Sequence, residues 1–168
     1  MYKIKVKDSD LRQAASEGMD AFVAVFLKAL HSEIGEELTA ESMAQLNTQQ
    51  ITLLGYEILQ REVMDGGMIQ LIHNGYGAFI FLNPFAKMLR EWGLRDLAKM
   101  LFDAKRLYNE HHERIEADCD YDEFMALFEE IPQFEDFDDA FVENEERFTA
   151  MVAAYVDDHI ADFAEIIE

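Results

Sequence analysis

Four acidic side chains in the last third of the chain have the spacing of a calcium-binding loop. Asp118, Asp120 and Asp122 occupy positions 1, 3 and 5 of such a loop and Glu129 occupies position 12, as in an EF-hand. Position 6, where the sharp turn requires glycine, is Glu123, and the apolar residues that follow are typical of a helix. Asp122 is better explained as the N-cap or as an acid of the first turn of that helix. A divalent-cation site at these four residues is retained as an alternative.

A second group that could do chemistry surrounds two adjacent histidines. His111 and His112 lie among Glu110, Glu113 and Glu116, and these residue types bind metals in zinc proteases and di-iron helices. Neither the His-Glu-x-x-His nor the Glu-x-x-His spacing closes, so a charged helix end is the preferred interpretation. A metal enzyme at these residues is the weaker alternative.

No other pattern predicts catalysis. Cys119 has no basic neighbour in sequence to lower its pKa, so it is a poor nucleophile. No Gly-x-Ser-x-Gly nucleophile elbow occurs. We predict no catalytic residue, no cofactor and no enzymatic activity.

Half of the eight glycines lie within residues 61–77. Glycines that hold phosphate follow a strand, open a helix and are accompanied by a lysine or arginine. This segment matches neither phosphate-binding pattern, and no lysine follows its glycines. It therefore predicts a tight junction between helices and then an Asn-Gly turn at Asn74.

The charge is distributed very unevenly along the chain. The net charge is −21, with 14 acidic and 12 basic side chains in residues 1–108 but 21 and two in residues 109–168. The excess of negative charge in residues 109–168 argues against direct binding of nucleic acid or of an anionic membrane, because phosphates would be repelled. It favours a basic protein partner, a cation or a purely solubilising surface. A single cysteine and the lack of a secretory signal or a membrane-length apolar run favour the cytoplasm.

Apolar residues recur at steps of three and four along most of the chain, which predicts helices. We expect one all-α domain over residues 1–168, a bundle of about six to eight helices by this pattern. Residues 1–8 are expected to form a short strand or an arm, and residues 109–168 an acidic helical part. One helix is expected from about Ser9 to Gly35 and another from Asn83-Pro84 to Gly93. The last apolar stripe runs from Phe141 through Ile167.

The segment from Glu62 to Gly77 resembles the signature of a bacterial family related to the C-terminal domain of a DNA mimic protein. The matching positions are Glu62, Val63, Gly66, Gly67, Gln70, Asn74 and Gly77. Asp65, Met68 and Gly75 depart from the signature. The resemblance implies an all-α fold without known catalysis, in which Glu62 and the motif residues from Gly66 to Gly77 have a structural role. It also implies a homodimer whose acidic surface occupies a helix-turn-helix regulator in place of DNA.

The predicted partner-binding surface is the acidic face of the C-terminal helices. Acids three or four residues apart on a helix lie about 5–6 Å from each other, a spacing comparable with that of neighbouring phosphates. A single helix carries too few charges to match duplex DNA, so mimicry would need several acidic elements or a dimer. The alternative is a face that only keeps the protein soluble. The predicted binding residues are Glu135, Asp136, Asp138, Asp139, Glu143, Glu145, Glu146, Asp157, Asp158 and Asp162.

Overall fold

The computed structural model describes residues 1–168 and is almost entirely helical. The predicted all-α class is confirmed, but ten α-helices replace the expected six to eight. In chain order the elements are β1 (Lys5–Lys7), α1 (Asp8–Glu17), α2 (Met19–Ile34), α3 (Ala40–Met43), α4 (Thr48–His73), α5 (Gly77–Phe81), α6 (Phe85–Glu91), α7 (Arg95–Glu116), α8 (Tyr121–Glu130), a 3-10 turn (Pro132–Phe134), α9 (Glu135–Asp158), α10 (Ile160–Phe163) and β2 (Glu165–Ile167).

The chain packs into two compact units. Unit 1 comprises residues 1–54 and 147–168, and unit 2 comprises residues 55–146. Helices α4 and α9 each begin in one unit and end in the other. The expectation of one domain over the whole chain stays a prediction.

The two ends of the chain meet in unit 1. Strand β1 pairs in parallel with β2, with Val6 opposite Ile166, so of the two expected alternatives, a short strand or an arm, the structure has the strand. The helical stripe expected to continue through Ile167 is wrong, because the backbone is already extended at Ala164. The pairing of two segments so far apart in sequence leaves no signal in local periodicity.

Unit 1 also contains a break that periodicity did not predict. Gly18 has a φ of 141° and separates α1 from α2, so the single helix expected between Ser9 and Gly35 is wrong. The predicted stop at Gly35 is confirmed, and its φ is 83°. In the core of this unit, Phe26 packs edge-to-face against Phe22 and Phe163.

Two polar side chains attach the C-terminal segment of unit 1 to the start of α4. Asn47 and Gln50 cap the helix reciprocally, since each side chain accepts the other residue's backbone N–H, at 2.8 and 3.0 Å. Their amide groups then donate to the carbonyls of Asp162 and Phe163. One capping pair thus fixes both a helix start and the end of α10.

Unit 2 is built around α7. This helix buries Leu97, Leu101, Leu107 and Ile115, and Tyr108 stacks on Phe81 of α5 at 5.0 Å. Helix α6 begins one residue after Pro84 and is followed by Gly93, at a φ of 93°, close to the predicted limits.

Candidate functional site

Five exposed carboxylates form one row on the part of α9 that belongs to unit 2. A helix advances by about 100° per residue, which places these five within an arc of about 100° on the side opposite the fully buried Phe141. We call them the acidic row: Glu135, Asp136, Asp139, Glu143 and Glu146. Glu135 and Asp136, in the first turn of α9, also interact favourably with the positive end of the helix dipole.

Asp138 differs from the residues of the acidic row. Its side chain is half-buried, and its Oδ1 accepts a hydrogen bond from the Met68 backbone N–H at 2.8 Å. Burial, together with the neighbouring Asp139 and Glu135 carboxylates, raises the pKa of Asp138 to about 6, although the hydrogen bond from Met68 acts in the opposite direction. Asp138 therefore links α9 to α4 and is not one of the exposed acids of the row.

The backbone N–H that Asp138 accepts follows a break inside α4. Gly67 has a φ of 77° and a ψ of −175°, so the helix stops there and restarts at Met68. The Met68 N–H, at the start of the second segment, donates to the Asp138 carboxylate, which acts as a cap supplied from another helix. A Cβ at Gly67 would collide with the Asp138 carboxylate. The predicted junction at these glycines is confirmed.

Glu145 also faces inward. Its Oε1 accepts a hydrogen bond from Gln60 Nε2, and its side chain is half-buried. Asp138 follows the buried Phe134 by four residues, and Glu145 follows the buried Phe141 by four, so both acids lie near the buried side of the helix. This spacing could have separated them from the outward acids. The acidic face predicted from the sequence includes both residues, because it assigns every acid of this stretch to the side opposite the apolar stripe.

The last three predicted binding residues belong to unit 1. Asp157 and Asp158 end α9 and Asp162 lies in α10, all of them exposed. The acidic row does not include them. The structure thus brings together five of the ten predicted residues and assigns two of the others to internal hydrogen bonds.

The motif residues of α4 form a hydrogen-bond network. Glu62 is only 6% exposed, and its Oε2 accepts from Gln70 Nε2 at 2.9 Å and from Asn74 Nδ2 at 3.0 Å. The Gln70 amide also donates to Asp65 at 2.9 Å. The network spans the break at Gly67 and satisfies a buried carboxylate.

Gly66 and Gly77, two further glycines of the motif, lie where a neighbouring side chain comes close to the backbone. A Cβ at Gly66 would collide with Gln70, and a Cβ at Gly77 would press on the Tyr108 ring. At these two glycines the backbone is therefore approached by side chains of its own unit.

The alternative metal sites are not assembled. No three His, Cys, Asp or Glu side chains converge in an arrangement that could hold a metal ion. Asp120 instead caps α8, accepting the Glu123 backbone N–H at 2.8 Å, and Asp122 lies in the first turn. His112 lies 3.2 Å from Glu116 on the same helix. The loop-like spacing of Asp118, Asp120, Asp122 and Glu129 is therefore that of a helix start.

Comparison with known proteins supports the resemblance. The family profile described as DMP19-like protein matches residues 44–159. The DNA mimic protein DMP19 of Neisseria meningitidis serogroup B is 36% identical over 127 residues, which cover 75% of this chain and 77% of the relative.

This chain belongs to the DMP19-like family. The matched residues of the DMP19-like chain contain the glycine-rich motif, Asp138 and the acidic row, whereas β1, α1 and α2 precede the match. None of its helices has both the length and the apolar character needed to cross a membrane.

Proposed function

We propose that the chain is a non-catalytic binding protein whose acidic row occupies the DNA-binding surface of a basic protein. The observation that carries this proposal is the set of five exposed carboxylates on one arc of α9. The name of the relative, a DNA mimic protein, supports the same function. Residues 109–146, within unit 2, contain 16 acidic and one basic side chain.

The spacing of the acidic row suits one strand of DNA. From Glu135 to Glu146 the helix advances about 16 Å, so the five charges are on average about 4 Å apart along the axis. One strand of duplex DNA carries a phosphate about every 3.4 Å, and the duplex a charge about every 1.7 Å. One row therefore imitates one strand, and a homodimer would supply the second.

The partner class follows from the same charges. Arg and Lys side chains that contact phosphates would contact the carboxylates, with a helix-turn-helix regulator as the proposed partner. Long-range attraction would accelerate association and make it sensitive to salt. The chain itself would not bind nucleic acid, and a partner of this kind places it in the cytoplasm.

The test compares two variants with the same charge change. The row variant carries E135Q, D139N, E143Q and E146Q. The control variant neutralises four exposed acids elsewhere in unit 2, by E91Q, E110Q, E113Q and E129Q. Each protein is immobilised, exposed to bacterial lysate and eluted with a salt gradient, and captured proteins are identified by mass spectrometry.

We expect the wild type and the control variant to retain a DNA-binding protein that the row variant loses. The wild type should also displace labelled DNA from that partner in a fluorescence anisotropy assay. Capture of no DNA-binding protein at low salt, or equal capture by both variants, would contradict the proposal and leave a surface that only aids solubility.

A further inference from the structure

Unit 1 contains an apolar groove between the α1–α2 junction and the last turns of α9. Its volume is about 480 Å³, within the range of about 300–1,000 Å³ that is usual for ligand-binding pockets. The side chains that matter for its shape are Ala15, Met19, Phe22, Ala153, Ala154 and Asp157.

The groove is open because several of the side chains that line it are small. Phe22 and Ala153 are nearly buried, at 9% and 5% exposure, whereas Met19 is 55% exposed. An exposed methionine is costly to leave in water, and its flexible thioether adapts to varied apolar partners. The alanines leave space for side chains that enter from outside.

The rim of the groove is acidic. Asp157 lines it, and no lysine or arginine does so. Glu17 and Asp20, both exposed, lie on either side of the Gly18-Met19 pair in sequence. Unit 1 as a whole has 13 acidic and six basic side chains. An occupant that fits this groove combines an apolar face with positive charge.

We propose that the groove binds a cationic amphipathic helix of a partner protein. Apolar side chains one turn apart on that helix would enter between α2 and α9, and its Lys or Arg side chains would pair with Asp157 at the rim. This surface is separate from the acidic row, which belongs to unit 2. The α1–α2 wall also precedes the residues that match the family profile.

The probe is a synthetic amphipathic peptide of about 18 residues, long enough to form a helix, with leucines at helical spacing and lysines elsewhere. One comparison peptide replaces lysine by glutamate, and the other replaces leucine by serine. Binding to the full chain is followed by fluorescence anisotropy at physiological salt. The row variant is measured in parallel, because it neutralises four of the five carboxylates of the acidic row, which could compete for the peptide.

Matched variants locate the bound peptide. A154R adds bulk and positive charge in the groove, and A161R makes the same change at an exposed residue of α10 that does not line it. D157N removes the rim charge, and D162N removes an exposed charge that does not line the groove. Circular dichroism and urea unfolding confirm that each variant is folded.

We expect A154R to weaken binding of the leucine–lysine peptide by about tenfold or more, as for a central interface residue. D157N should weaken it about threefold, in the range of an exposed ion pair. A161R and D162N should have little effect, and binding should persist in the row variant.

Three results would overturn the proposal. The first is equal binding of all three peptides. The second is equal weakening by A154R and A161R. The third is a wild-type dimer in sedimentation that A154R converts to a monomer, because a second copy would then cover the groove.

Discussion

The Asp138 carboxylate caps a helix in a different part of the sequence, 2.8 Å from the Met68 backbone nitrogen and 70 residues away along the chain. Gly67 creates the free N–H by leaving the helical conformation, and Asp138 satisfies it. A residue counted as part of an acidic binding face thus stabilises the glycine-rich junction.

Replacement of Asp138 by Asn or Ala separates the contribution of its hydrogen bond to stability from that of its charge. Asn keeps an acceptor for the Met68 N–H and Ala does not, so D138A should be less stable than D138N by about 1–2 kcal/mol, the usual value of a helix cap. Urea unfolding at pH 7.5 measures the difference. Equal stability of the two variants would show that the hydrogen bond contributes nothing.

The stability of the wild type should depend on pH through Asp138. Its pKa rises from 3.8 in the unfolded chain to about 6 in the folded one, so the folded state binds the proton more tightly. The resulting stability is fully present below pH 4 and is lost as the pH rises through about 6.

The difference between D138N and the wild type isolates this group from the other carboxylates. D138N should gain stability relative to the wild type between pH 4 and pH 7, by about 1–3 kcal/mol. Urea unfolding across this range measures it, with E143Q on the exposed side of the same helix as control. A constant difference, or a trend in the other direction, would be inconsistent with the raised pKa.

Substitution of Gly67 should be more harmful than substitution of another glycine with positive φ. G67A adds backbone strain and a collision with the Asp138 carboxylate, whereas G75A adds strain alone, because no atom lies within 4 Å of its Cβ position. We expect a loss of about 1 kcal/mol for G75A and clearly more for G67A.

Thermal unfolding compares the two glycine variants. The double variant G67A/D138G should recover part of the difference, since it removes the carboxylate that the new methyl group meets. If G67A proved as stable as G75A, the close packing of Asp138 on Gly67 would be unimportant. If G67A stayed fully folded but lost its partner, the binding site would include the glycine-rich segment.

Loss of the Gln70 amide should destabilise the chain through the buried carboxylate of Glu62. Q70A removes one of its two amide donors and leaves Asn74 as the other, at an expected cost of about 1–3 kcal/mol. The control is Q133A at an exposed position. Chemical unfolding of both variants measures the effect, and equal losses would rule out a special role for Gln70.

The helical class, several helix ends and the family were accessible from sequence. Periodicity of three and four residues specifies helices, and Gly35 and Gly93 stop them through their own backbone conformation. The Thr39–Ser42 capping box and the break at Gly66-Gly67 are likewise encoded within a few residues. Such features depend on neighbouring residues alone, so local patterns reveal them.

The tertiary structure decided what each carboxylate does. The sequence by itself determined that ten acids lie between residues 135 and 162 at helical spacing. It does not distinguish an acid exposed to water from an acid that caps a distant N–H. Burial and a partner far along the chain made Asp138 and Glu145 internal residues. The β1–β2 pairing also depends on contacts between the chain ends. Non-local contacts carry no local signature, and only folding brings the two groups of each pair together.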